Sequence, residues 1–127
     1  MIGAGCHLQL FAGTPASLVR WRLLSGNNRE IARSVESYRD AESCRIALKE
    51  LQMSVDDLTS IVRQIEVHRW VWQLTDAHGV VVTSAHQYDR LIRCQRGLDQ
   101  ARAELPTARI GPDVMFSLAR RWGGATG

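Results

Sequence analysis

Residues 21–38 read WRLLSGNNREIARSVESY, and residues 72–88 read WQLTDAHGVVVTSAHQY. The two stretches follow one plan: Trp, one residue, Leu, a polar turn, a β-rich run, Ser, three residues, Tyr. With Ser34 set on Ser84, an offset of 50 residues also brings Tyr38 onto Tyr88, Ala47 onto Gly97, Cys44 onto Cys94 and Leu48 onto Leu98. Before the serines the offset is 51, so that Trp21 meets Trp72 and Leu23 meets Leu74. The one-residue slip falls within the turn, where a surface loop tolerates an insertion. Chance supplies a shared Trp and Tyr easily, but not a register this long with its single slip placed in a turn. An internal repeat is therefore the first feature the fold must accommodate.

Outward from the repeat, alternation of apolar and polar residues predicts strands over 7–12, 18–24, 30–35, 59–67, 69–74 and 80–84, and a short last one over 107–111. In the second strand Val19, Trp21 and Leu23 share one face, while Arg20 and Arg22 share the other. The span from 59 to 74 reads as a closing strand of the first copy merging into the opening strand of the second, with its boundary near 66–69. Helix one is capped by Asp40 and carries Ala41, Cys44, Leu48 and Leu51 on one stripe. The stripe of helix two is Leu91, Cys94, Leu98, Ala101 and Leu105, with Asp89 as its expected cap and Pro106 as its stop. Gly97 in mid-helix costs about 1 kcal/mol against Ala, so its position calls for a close approach of the helix to the sheet.

A strand, a polar turn, an apolar strand, Ser, Tyr, then a helix with a small residue ahead of an aliphatic one resembles the YegP-like family of small bacterial proteins. Residues 6–111 carry the resemblance, and both copies match. The turns depart from the family's usual Asn-Gly, and the helices from its Lys-rich habit, since Lys49 is the single lysine. The resemblance implies an α+β fold of two tandem β3-α-β repeats. The repeats share one antiparallel sheet with two helices packed on it, exchange their last strands and are related by a pseudo-two-fold axis. It implies no activity, because the family has no catalytic motif to carry over. The expected organisation is a frayed N-terminus at 1–5, repeat one at 6–57 and repeat two at 58–111, folding together as one domain. A tail at 112–127 follows, with helical turns over 114–122 and a disordered Gly-rich end.

The chain has 127 residues, enough for one shared core but marginal for two independent halves. Its net charge of +3 is uneven. Residues 1–57 hold seven basic and seven acidic side chains, and residues 58–127 hold nine and six. Fifteen of the 16 basic residues are Arg, which suits bidentate contact with phosphate or carboxylate but is also what a GC-rich genome encodes. Three cysteines without a CxxC pair argue against a disulfide framework and for a reducing, cytoplasmic setting. No apolar run approaches a membrane span.

No constellation of catalytic residues emerges. Ser84 has His86 two residues on, but Glu36 stands at the equivalent place after Ser34, so the paired Ser and Tyr read as structural. His7, His68, His78 and His86 with Cys6, Cys44 and Cys94 show no zinc spacing, and Cys44 and Cys94 lie on apolar stripes. No cofactor, metal or small-molecule ligand is evident. Contact with a protein partner or a second copy, as a homodimer, is the leading expectation, through an unpaired sheet edge or a Trp-bearing face. Binding of single-stranded nucleic acid is the alternative. Its candidate contacts are Arg20, Arg22, Arg69, Trp70, Arg90, Arg93, Arg96 and Arg102, by analogy with basic surfaces interleaved with aromatics.

Overall fold

The computed structural model of the protein describes residues 5–117. The elements run β1 (His7–Ala12), β2 (Arg20–Leu24), β3 (Glu30–Ser34), α1 (Ala41–Ser54), a 3-10 turn at Val55–Asp57, β4 (Thr59–Glu66), β5 (Arg69–Asp76), β6 (Gly79–Ser84), α2 (Leu91–Glu104) and β7 (Arg109–Phe116). The seven strands form one sheet in the order β4-β5-β6-β3-β2-β1-β7, making the fold α+β. Among the described residues no helix is long and apolar enough to cross a membrane.

Period-two alternation decides which way each strand faces. Leu8 and Leu10 of β1, Trp21 and Leu23 of β2, Trp72 and Leu74 of β5 and Val82 of β6 are all buried on one side. Both helices lie over that side, and Cys44 and Leu48 of α1 join Cys94, Leu98 and Ala101 of α2 in the same apolar cluster. Each Leu so buried contributes about 1.5–3 kcal/mol. On the other side the register sets Gln9 beside Arg22, Arg22 beside Arg33, Arg33 beside Thr83, Thr83 beside Gln73 and Gln73 beside Ile61. This polar and basic row crosses six strands, and among the described residues no helix covers it.

The architecture departs from the expected one in three ways. Two β3-α-β units would supply eight strands, and the described residues form seven. The two strands expected over 59–74 are present, and they form a hairpin turned at the expected boundary, Val67 and His68, the latter with φ of 66°, so β4 pairs directly with β5. The sheet is also not wholly antiparallel, because β7 runs parallel to β1 along its outer edge. Finally, β7 does not stop at 111. It continues to Phe116, where helical turns were expected from 114. The reason lies in β1: Leu8 accepts Ile110 as its partner and Leu10 accepts Val114, so the apolar residues beyond Pro112 have a sheet to join. The register shift between them absorbs Pro112, which lacks an N–H and is tolerated at an edge bulge. The frayed start at 1–4 and the tail at 118–127 lie outside the described residues.

The helix caps differ as well. The Asp40 carboxylate accepts from the Ser43 backbone N–H at 2.7 Å, and that bond holds its pKa below the usual carboxylate value. The residue in the same place before α2 is Arg90, with extended backbone angles and no side-chain cap, while Asp89 instead faces Arg93 at 3.7 Å. Asp89 is thus one position too early to cap. Arg90→Asp should stabilise the protein by about 1 kcal/mol by satisfying a free N–H of the first turn, read as a rise in thermal midpoint.

Candidate functional site

The eight residues singled out in the sequence fall in separate places. Arg20 and Arg22 lie on the open sheet face and flank Phe11, with guanidinium carbons 5.9 and 4.9 Å from its ring centre. Both are engaged: Arg20 donates to the Ser34 carbonyl at 3.1 Å, and Arg22 donates to Gln9 Oε1 at 2.8 Å. Arg69 is exposed at the start of β5, 3.7 Å from Glu66. Trp70 does not join them, because it packs half-buried against the core on the helix side. Arg90, Arg93 and Arg96 lie at and along the first two turns of α2. Arg102, further along, is a structural latch that donates to the Val55 and Leu58 carbonyls and to Ser60 Oγ at 3.0–3.2 Å.

The recurrent serines and tyrosines are also structural. Ser34 Oγ accepts from the Trp21 N–H at 3.2 Å, and Ser84 Oγ accepts from the Trp72 N–H at 3.4 Å. In each case the hydroxyl supplies an acceptor where the two strands diverge. Ser84 Oγ donates to the His86 carbonyl at 2.9 Å, so the bond is to backbone and leaves the serine without an activating base. Tyr38 and Tyr88 then return to the strands through two-way backbone bridges, with Val19 (2.6 and 2.7 Å) and Trp70 (2.7 and 2.8 Å) respectively. Burial pushes the Cys44 thiol up to about 11, and both Cys44 and Cys94 are fully buried, inert members of the core. Among the described residues no three His, Cys, Asp or Glu side chains are grouped so as to hold a metal ion.

Two clefts appear that the sequence did not suggest. Each lies between one helix and the tip of the hairpin from the opposite half of the chain. The first, about 750 Å³, lies between α1 and the β5–β6 hairpin, and Trp21, Tyr38 and Ala47 line it. The second, about 530 Å³, lies between α2 and the β2–β3 hairpin, and Tyr88 and Gly97 line it. Gly97 is required there: a Cβ at this position would come within 2.8 Å of Tyr88 Cζ and 3.3 Å of Trp72 Nε1. The close approach read from Gly97 is therefore real, and its partners are the Tyr88 and Trp72 rings. The Trp72 indole N–H, buried beside them, has no hydrogen-bond partner among the described residues.

The electrostatics of the two tyrosines differ. Burial raises both phenols; Glu36, Cys44 and Glu50 raise Tyr38 further, whereas at Tyr88 the adjacent Trp72 N–H lowers the value, Cys94 raises it and Arg29 lowers it least. Neither cleft was legible because the hairpin residues that complete it lie 21–34 positions from the facing helix residues in the first cleft and 62–75 in the second, separations only the tertiary fold spans.

Comparison with solved structures finds the same architecture in two proteins. The solution structure of YegP from E. coli, a protein of unknown function, superposes with a TM-score of 0.66 at 14% identity, covering 90% of this chain and 97% of that one. The fold is the YegP-like fold. A UPF0339 protein from Shewanella oneidensis gives 0.67 at 14% identity, covering 84% of this chain and 89% of its own. No family model and no curated protein matches the sequence. The likeness to YegP therefore lies in the fold rather than in the sequence at large.

The serine corners give a test of this structural reading. Ser34→Ala and Ser84→Ala should each destabilise the fold by about 1–3 kcal/mol, because each leaves a buried Trp N–H without its acceptor. Chemical denaturation of the two single variants measures this directly.

Proposed function

We propose that this protein is a non-catalytic, self-associating module whose contact surface is the free edge of β4. The carrying observation is the contrast between the two sheet edges. At one end β7 carries Pro112 and a register shift, both of which blunt an edge. At the other end β4 is paired on one side only and holds no Pro or Lys; its register shift, between Gln64 and Glu66, falls at its end and leaves Thr59–Gln64 regular, and Ile65 and the following Val67 are 39% and 76% exposed. An unblunted edge of this kind is a template for another strand.

Charge selects how two copies would meet. In an antiparallel pairing centred on Val62, Ile61 faces Arg63 of the second copy and Ser60 faces Gln64. A pairing centred on Arg63 sets two guanidiniums opposite each other, which disfavours it. The residues with potential chemistry support a non-catalytic reading, since Ser34, Ser84, Cys44 and Cys94 all have structural duties. We also read segments 6–57 and 58–111 as copies of one β3-α unit, with β7 as an added strand. Antiparallel pairing of β3 with β6 at mid-sheet supports this, as do the equivalent register shifts after Leu23 and after Leu74. Sedimentation velocity should show a dimer that Ile61→Lys with Ile65→Lys converts to a monomer of unchanged helix content. A wild-type protein that stays monomeric up to millimolar concentration would sink the proposal.

A second reading, binding of single-stranded nucleic acid, is favoured by one observation: Phe11 lies on the helix-free sheet face between Arg20 and Arg22, with Arg33 and Arg63 on the same face. Stacking on such an aromatic is worth about 1–3 kcal/mol per base. On this reading an oligonucleotide is retarded in gels at low salt, and Arg22→Glu with Arg63→Glu abolishes the retardation. Unchanged mobility of both RNA and DNA with the wild type would refute it.

A further inference from the structure

The two clefts share a frame and oppose each other in charge. In both, the frame is a Tyr corner, a small helix residue and a hairpin tip, and Trp21 also lines the first. The lining differs in charge. Carboxylates surround the first cleft, from Glu36, Glu50, Asp57 and Asp76. Arg29, Arg93, Arg96 and His86 surround the second. In the 50-residue register His86 stands where the other half has Glu36, Arg93 where it has Ser43, Arg96 where it has Ile46, Gln100 where it has Glu50 and Arg29 where it has Gly79. These five exchanges remove negative charge or add positive charge, while a sixth, Glu30 where the first cleft has Val80, runs the other way.

Packing does not account for these arginines. Among the described residues the side chains of Arg29 and Arg96 make no ion pair and no hydrogen bond to protein, in contrast to Arg20, Arg22, Arg33 and Arg102. Arg93 has only a solvent-exposed contact with Asp89 at 3.7 Å, a pairing of little energetic weight. The carboxylate lining the same cleft, Glu30, is already held by Arg33 at 2.6 Å and Arg22 at 3.6 Å and does not neutralise it. The cleft volume of about 530 Å³ lies within the range of small-ligand sites.

We propose that the cleft between α2 and the β2–β3 hairpin binds a small phosphate-bearing ligand of nucleotide size, with Arg29 and Arg96 as its principal phosphate contacts and Arg93 and His86 at the rim. The planar guanidinium fork matches phosphate oxygens two at a time, and three such forks around one cleft suit a diphosphate better than a single carboxylate. The helix-side arginines approach from α2 and Arg29 from the hairpin of the other half, so the ligand bridges the two halves of the chain. The assignment is independent of β4, which lies at the far edge of the sheet beyond β5.

The test is a titration of isotope-labelled full-length protein with inorganic pyrophosphate, ADP and citrate at low salt, followed by amide chemical shifts. Saturable shifts are expected at 25–31, 86–88 and 93–100 with pyrophosphate and ADP, and weaker ones with citrate. Arg29→Ser with Arg96→Ala should weaken binding about tenfold or more. His86→Glu with Gln100→Glu, which restores the first cleft's carboxylates, should do the same. Both pairs are exposed, so far-UV circular dichroism should be unchanged. Arg69→Ala with Arg109→Ala, which removes the same charge elsewhere, should leave the affinity within about twofold. Three outcomes overturn the proposal: no saturable shift at millimolar ligand, shifts spread over every arginine-bearing surface, or equal loss in the Arg69 and Arg109 variant. Citrate equal to or better than pyrophosphate replaces phosphate with carboxylate as the ligand chemistry and refutes the assignment as stated.

Discussion

The seam between β3 and β6 holds the molecule together. It consists of three registered pairs, Ala32 with Ser84, Arg33 with Thr83 and Ser34 with Val82, extended by backbone bonds from Val35 to Val81 and from Ala85 to Ile31 at 3.3 and 3.1 Å. Everything on one side of it belongs to the first half of the chain, apart from β7, and everything on the other side to the second. Because the pairing is antiparallel, it turns the β2–β3 hairpin toward α2 and the β5–β6 hairpin toward α1. Neither helix then has a complete apolar floor without strands from both halves, and the buried cluster that includes Cys44, Leu48, Cys94 and Leu98 is continuous across the seam. A small number of hydrogen bonds thus positions a much larger area of apolar contact, which supplies most of the stability.

Local features of the fold could be read from the residues that form them. Alternation marked six of the strands, and the Asp40 cap, the Gly97 approach and both apolar stripes follow from side chains within one turn or one strand of each other, except that Leu91, expected on the α2 stripe, is exposed because it lies in the first turn beyond the edge of the core. The resemblance to the YegP-like fold was legible for the same reason, since a local string of Trp, Leu, Ser and Tyr recurs in each half of the chain. Features that depend on a distant partner were not legible. Residues 114–116 have no local preference strong enough to reveal a strand, and become one because β1 offers Leu10, Phe11 and Ala12 as partners. Asp89 looked like a cap because it is a capping residue at the right approximate place. One position is enough to separate a cap from a rim charge, and sequence boundaries are not that sharp.

The arginines show how little composition alone says about a surface. Arg102 fastens α2 to the chain ahead of β4 through two carbonyls and a hydroxyl. Arg22 and Arg33 share Glu30, on the strand surface away from the helices. Arg29 and Arg96 sit at a cleft mouth without a protein partner among the described residues. The same residue type serves as latch, as sheet-face ion pair and as uncommitted charge, and only the tertiary neighbours distinguish the three. In the sequence they formed one basic set. In space they divide between the two faces of the sheet.

The parallel contact of β7 with β1 has a consequence for how the chain matures. Two antiparallel neighbours can zip from a turn as soon as both have emerged. A parallel neighbour roughly 100 residues downstream cannot, and at ordinary synthesis rates the N-terminal strand waits about 5–20 s on the ribosome before its outer flank is covered. During that interval the nascent chain exposes the backbone of Leu8 and Leu10 along an unguarded margin. β7 therefore acts as a closure, and shielding of this margin by chaperones would matter most until β7 has emerged.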